Sequence, residues 1–564
     1  MKKRENIVII VVLIVMVIAI VGVSYAAFSY SKTGSKVNSI TTGSITMTYE
    51  ETDNTISLSG ALPTTDKTGI VRLNPGEYFD FSISSKITGD VNINYEISAK
   101  DITTSDRKID GSNIKLYLTR LNGDKEEALM VPETYNEETS ENTYTGRPAG
   151  EMSLYTSSMN SSESNNYRLR MYVDESYNPQ GDGGGLVFTV QINVYGKAGD
   201  KYVPLTTQEI LEDNELQEET TNMFNYGSNG MYLSGVSEEG QPQYATDENQ
   251  VTNGLFSMED EDGTSYYFRG NVDNNNVQFG EYQSDYYVYN YSSKYFQSLE
   301  SCQEYNSSCS ESNRVKLASA GDKMYWKIIR VNGDGSLRLI YNGTSANPDN
   351  SDIAHSYAVG QVSYNLSYND PKYAGYTYDN GTDSFIKKEV DTWYKNALGN
   401  TAYNSKVIGG RFCSDSSGYR EEAMMGGSVF ASFDRLGSTY GKLIGLEMQE
   451  NNMPSLKCPS TSESYGGSYR LKAGLITADE LVLAGESFGV ISNSYLNPGV
   501  SEMYYWSMTP AVFGDDHARV WYGFDFLSYD FVDFDYALRP VINVTTDNGF
   551  ASGDGSAVNP YILS

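Results

Sequence analysis

The sequence is poor in the side chains that carry most enzyme and metal chemistry. It holds two histidines, His355 and His517, and four cysteines. With so few imidazoles and no His-Glu-x-x-His stretch, a histidine-ligated zinc centre has little to draw on. No two cysteines have Cys-x-x-Cys spacing, so neither a zinc knuckle nor a dithiol redox site is indicated. Basic residues are also short: Lys plus Arg is 41 against 73 Asp plus Glu, a net charge of −32. Phosphate backbones need clustered cations, so this balance excludes nucleic acid as a partner. Proline is scarce at 15, and charged residues are only 20%, so the chain is not a polyelectrolyte tail.

Glycine (52) and tyrosine (47) are abundant. That mix favours extended, turn-rich structure over helical bundles. A chain of 564 residues has room for about three domains with tails.

The start of the chain has export logic. Lys2, Lys3 and Arg4 precede an apolar run from Ile7 to Val23, and Ser24-Tyr25-Ala26 offers small residues before a cut between Ala26 and Ala27. If retained, the run is long enough to span a bilayer. Basic residues before it place the remainder outside the cytoplasm. Residues 1–26 are therefore expected to be a signal peptide or membrane anchor, and the protein to be extracellular and cell-envelope associated, secreted or single-pass.

From 27 to 203 the pattern is β. Ser44 to Tyr49, Tyr78 to Ile83 and Val91 to Ile97 alternate apolar and polar residues, and Ile114 to Leu121, Tyr167 to Val173 and Leu186 to Tyr195 follow. Short strands between Gly, Asn, Asp and Ser turns predict a sandwich or jelly roll. Asn74-Pro75-Gly76 is a turn feeding the Tyr78 strand. Residues 204–227 are expected to be a partly helical, Glu-rich linker with sparse apolar points at Ile210, Leu211 and Leu216.

Residues 228–564 are expected to form an α+β domain. Tyr266 to Gly270 predicts a strand. Tyr325 to Val331, the Asn332-Gly333-Asp334-Gly335 turn and Ser336 to Tyr341 form the clearest hairpin. Asp383 or Ser384 caps a helix with Ile386, Val390, Trp393, Tyr394 and Ala397 on its apolar face. Thr477-Ala478-Asp479-Glu480 is a capping box for a second, with Gly485 placed for a left-handed end. Residues 281–318 are polar and are expected to be an inserted loop.

In an exported protein the cysteines are disulfide candidates: Cys302 with Cys309 closing a small loop, Cys413 with Cys458 pinning a long one. Glu259-Asp260-Glu261-Asp262 lacks the EF-hand pattern and is expected to be a solvated turn. No metal and no cofactor are expected. His517, beside Asp515 and Asp516, is expected to be a surface histidine.

The stretch from Phe513 to Tyr536 interleaves aromatic rings and aspartates. Rings flanked by carboxylates make a contact surface of large area, low rotamer entropy and directed hydrogen bonding. The expected ligand-binding residues are Trp506, Phe513, Asp515, Asp516, Trp521, Tyr522, Phe524, Asp525, Tyr529, Asp530, Phe534 and Asp535. The competing expectation is a core hairpin with aspartates on its surface.

Two resemblances follow. Ala26-Ala27-Phe28-Ser29, Asn38, Thr42-Gly43-Ser44-Ile45 and Leu73-Asn74-Pro75-Gly76-Glu77 resemble the camelysin/TasA family of exported surface and biofilm-matrix proteins. That resemblance spans about residues 1–200 and implies a β-sandwich of jelly-roll type, export by a dedicated signal peptidase, and self-assembly in some members. Tyr266 to Val272, Tyr325 to Gly335, Gly474 to Glu480, Tyr505-Trp506-Ser507-Met508-Thr509-Pro510 and Leu538-Arg539-Pro540-Val541-Ile542-Asn543 resemble a domain that recurs in gut Firmicutes surface proteins. More loosely, they resemble C-type-lectin-like and formylglycine-generating-enzyme-like folds. The Glu-Pro-Asn and Trp-Asn-Asp triplets of calcium-dependent lectins are lacking, as is the enzyme's cysteine pair. Some proteins of that fold vary their C-terminal patch, and Phe, Tyr, Asp and Ser in the ribbon are residues that adenine-directed mutagenesis produces.

The combined expectation is a non-catalytic surface binding or adhesion protein contacting an extracellular protein or glycan. The alternatives are a biofilm-matrix fibre subunit, and a secreted metalloprotease or formylglycine-generating-like enzyme. If the first domain polymerises, the segment freed after Ala26 adds as a strand to a neighbour's sheet edge.

Overall fold

The computed structural model describes residues 29–33, 37–42, 45–51, 57–59, 62–73, 78–87, 92–123, 125–178, 186–199, 203–219, 224, 231–236, 242–246, 251–378, 381–415, 420–422, 427–437, 454–458, 467–489, 494–497, 503–545 and 549–563. The leader, the Ala26–Ala27 cleavage point and the Asn74-Pro75-Gly76 turn lie outside them. The chain divides into two compact units, Met1–Tyr202 and Val203–Ser564, both rich in strands. Among the described residues, no helix is long and apolar enough to cross a membrane.

The first unit encloses one apolar core between two mostly antiparallel sheets. One runs in the order Ser29–Thr33, Val187–Gly199, Asn92–Asp101, Met152–Met159, with Ser57–Ser59 also on Val187–Gly199. The other centres on Ile114–Asn122, Ser164–Asp174, Tyr78–Ile87 and Ile45–Glu51. Alternation places the core: Phe79, Phe81 and Ile83 are buried while Asp80 and Ser82 are partly exposed. The Asn92–Asp101 strand is buried on both faces, and its polar face is neutralised locally. Glu96 accepts from Arg147 Nε and from the Thr145 hydroxyl, each at 2.6 Å.

The second unit has a nine-stranded and a ten-stranded sheet around a second core. The predicted hairpin forms as Lys323–Val331 and Leu337–Tyr341, and Gly335 turns the chain at φ 85°. Helix Phe385–Tyr394 is capped by Ser384, whose hydroxyl accepts from Lys387 N. Helix Ala478–Leu483 starts at the Thr477/Glu480 capping box, and Gly485 follows at φ 112°.

One expectation about these elements is corrected. Residues 281–318 are not a loop: Tyr286–Tyr291 and Lys294–Phe296 form a hairpin through Ser292 and Ser293, both left-handed, and Leu299–Tyr305 is helical. The polar composition hid alternation, for Tyr286, Val288 and Phe296 point into the core. The 204–227 stretch, expected to be partly helical, does carry a helix. Its helix, Leu205–Asp213, buries Ile210 in the second unit's core.

Both cysteine pairs are joined, Cys302–Cys309 with Cα atoms 5.9 Å apart and Cys413–Cys458 with 5.6 Å.

Candidate functional site

Strands Tyr505–Gly514, His517–Gly523 and Ser528–Phe531 form a meander in the ten-stranded sheet. Its first turn places Asp515 and Asp516 in the left-handed region, at φ 52° and 57°. Two consecutive left-handed residues suit a tight hairpin, and aspartate tolerates that conformation better than most residues. Both aspartates are exposed at the tip.

The structure sorts the predicted residues into three groups. Trp506, Trp521 and Tyr522 are buried, which removes them from the contact surface. The Trp506 indole donates to Val362 O at 2.9 Å, and the Trp521 indole donates to the Ser432 hydroxyl at 3.0 Å. Buried indole N–H groups need such partners, so these tryptophans are anchors of the sheet. Tyr529 packs edge-on against Trp521 and is partly buried with it.

The second group is partly exposed but engaged. Asp530 accepts the Tyr536 hydroxyl at 2.6 Å and Phe531 N at 2.8 Å. Asp535 pairs with Lys294 and accepts from the Ser363 hydroxyl. Burial raises the Asp525 carboxyl above its ordinary value. Phe524 packs on Tyr504, with ring centres 4.8 Å apart. Phe513 is partly buried along its strand.

The third group is outward-facing, and sequence reasoning only partly found it. Phe534 is 45% exposed. It ends a run of rings: Tyr368 stacks on His517 at 4.4 Å and 6°, His517 meets Phe531 at 4.6 Å, and Phe531 meets Phe534 at 5.3 Å. The Arg519 guanidinium lies over Phe531 at 4.7 Å and reaches towards Asp515, 3.5 Å away. His517 is thus a member of the platform rather than an isolated surface histidine. Tyr368 comes from a remote loop that Ala518 N fixes by donating to Tyr368 O at 2.7 Å. Nothing in the local pattern around residue 368 announces that docking.

A different arrangement lies in the nine-stranded sheet's half of the unit. A small charged cleft is lined by residues that include Asp260, Arg330, Arg338, Asp415, Arg435 and Glu480. Arg330 donates to Asp260 (2.8 Å) and Glu480 (3.0 Å), and Arg338 also pairs with Glu480. Arg435 bridges Asp479 (2.7 Å) and Asp415 (3.0 Å). Burial alone would raise the Glu480 carboxyl, but the Arg338 and Arg330 charges and the Thr477 backbone bond hold it below its ordinary value. Asp260 is therefore no solvated turn residue. It is buried and accepts backbone bonds from Asp262, Gly263 and Gly333. Each principal cation here already has its carboxylate, so the cluster is a structural keystone.

No family model matches the chain, and no curated protein matches it. Among solved structures, a Bacteroides ovatus protein described as a GDSL-like lipase aligns at 11% identity over 28% of this chain and 44% of its own, with a TM-score of 0.11. At that score the likeness carries no argument about fold or chemistry.

Proposed function

We propose that this is an exported, cell-surface binding protein that works by surface complementarity, with the Tyr368–His517–Phe531–Phe534 platform and the Asp515–Asp516 tip as its contact surface for a protein or glycan. The observation that supports this is the run of rings from Tyr368 to an exposed Phe534, together with two exposed carboxylates in the turn just before His517. Large apolar side chains brought together at a surface mark contact sites, and aromatic residues dominate binding hot spots. The two disulfides support an oxidising compartment, in keeping with the leader. In this reading the first unit is a jelly-roll sandwich of camelysin/TasA type, and the second is C-type-lectin-like.

Binding of the full chain to extracellular glycan and protein arrays tests the proposal. The expected result is a ligand whose affinity falls at least about tenfold in a Tyr368→Ala/Phe534→Ala variant. Undiminished binding by that variant, or a turnover abolished by one substitution elsewhere, overturns it.

A second reading, a fibre subunit, is favoured by one observation. Among the described residues Ser29–Thr33 pairs with Val187–Gly199 alone, so an equivalent strand from another copy fits the same ladder. Deleting residues 27–40 should abolish filaments; unchanged filaments exclude this route.

A further inference from the structure

The strands Asn276–Glu281 and Lys323–Val331 pair antiparallel, and their register sets Asn276 opposite Lys327. Directly opposed residues share a sheet face with Cβ atoms about 5 Å apart, well within the reach of a lysine stem. Three features of this pair are unusual together. Lys327 is partly buried, and among the described residues no carboxylate comes within ion-pair distance of it. Burial pushes its ammonium down to about 8, with Asp273 opposing the shift and Arg539 adding to it. Asn276 is 1% exposed, and its side-chain oxygen is buried without a hydrogen-bond partner. An orphaned buried carbonyl costs stability and calls for an explanation. The Asn276 amide nitrogen donates to Gly555 O at 2.8 Å and lies 3.5 Å from the Asp273 carboxylate.

A nucleophilic amine, an unsatisfied amide carbonyl opposite it and a carboxylate beside the leaving nitrogen are the parts of an amide exchange. We propose that Lys327 and Asn276 form an intramolecular isopeptide bond, with Asp273 as the proton carrier. The neutral Lys327 Nζ attacks Asn276 Cγ, and the Nζ–Cγ bond forms. The Cγ–Nδ2 bond breaks, one Nζ proton passes through Asp273 to Nδ2, and ammonia leaves. No oxidant, metal or cofactor enters the balance. The product is a covalent tie across two adjacent strands of the nine-stranded sheet, independent of the binding surface proposed above.

Mass spectrometry of proteolytic peptides from the full chain decides it. The expected product is a branched peptide joining the Lys327 and Asn276 segments, lighter than its two parts by one ammonia. Lys327→Arg and Asn276→Ser should yield only linear peptides, and Asp273→Ala should slow or stop the crosslink while the chain stays folded by circular dichroism. Linear wild-type peptides carrying intact Lys327 and Asn276 overturn the proposal. A complete crosslink in Asp273→Ala overturns the role given to Asp273.

Discussion

The second unit handles its two densest clusters in opposite ways. Around Glu480, opposite charges face inward and consume one another. Around His517, rings assemble outward and leave Phe534 and the Asp515–Asp516 tip in solvent. Buried ion pairs contribute rigidity only while every member is present, because the orphaned partner keeps its desolvation cost. A surface ring platform has no such debt and can lose a member with little harm to the fold. Residue type alone draws attention to the charged cleft; pairing and burial show that its charges are satisfied from within.

The contrast can be broken at its strongest point first. Glu480→Gln removes the acceptor charge for two buried arginines and should destabilise the full chain by about 3–5 kcal/mol in a denaturant titration. Removing the Cys413–Cys458 bridge, which closes a sequence separation of 45, should cost about 4 kcal/mol by loop entropy. Removing Cys302–Cys309, with a separation of 7, should cost about 2 kcal/mol. A reversed order of the two midpoints would show that local packing outweighs loop length.

Glu486 sharpens the comparison through pH. It is buried, it accepts the Tyr505 hydroxyl at 2.7 Å, and burial pushes its carboxyl up to about 8. A carboxyl raised in the folded state favours its neutral form there. Its contribution is fully present below the unfolded value of 4.5 and is lost as pH rises through about 8. Glu486→Gln should flatten that decline in thermal unfolding scans, and an unchanged slope would assign the decline to other groups. The smallest stability effect belongs to the platform. Phe534→Ala should change stability by less than about 1 kcal/mol while weakening ligand binding, a split read by pairing unfolding with binding titration.

Much of the strand pattern was legible because period-two alternation is a local signal. Tyr78–Ile87 and the Lys323–Tyr341 hairpin follow directly from it. The capping box at Thr477 was legible for the same reason, since its partners are three residues apart. Tyr286–Tyr291 was missed because a composition rich in polar and hydroxylated side chains masks alternation. The exposed ring platform was half legible. Aromatic density marked the ribbon but gave no means of separating Trp521, which faces the core, from Phe534, which does not. Tyr368 required knowledge of which distant loop docks beside Ala518.

Ser29–Thr33 and Val187–Gly199 meet although they stand near opposite ends of the first unit's sequence. Synthesis delivers the early strand long before its mate. Until the mate arrives, the early strand's backbone groups are open to any exposed ladder nearby, including one on another molecule. If the chain does assemble into fibres, closing on itself and joining a neighbour become competing outcomes of a race, set by how crowded its surroundings are when the last strand emerges.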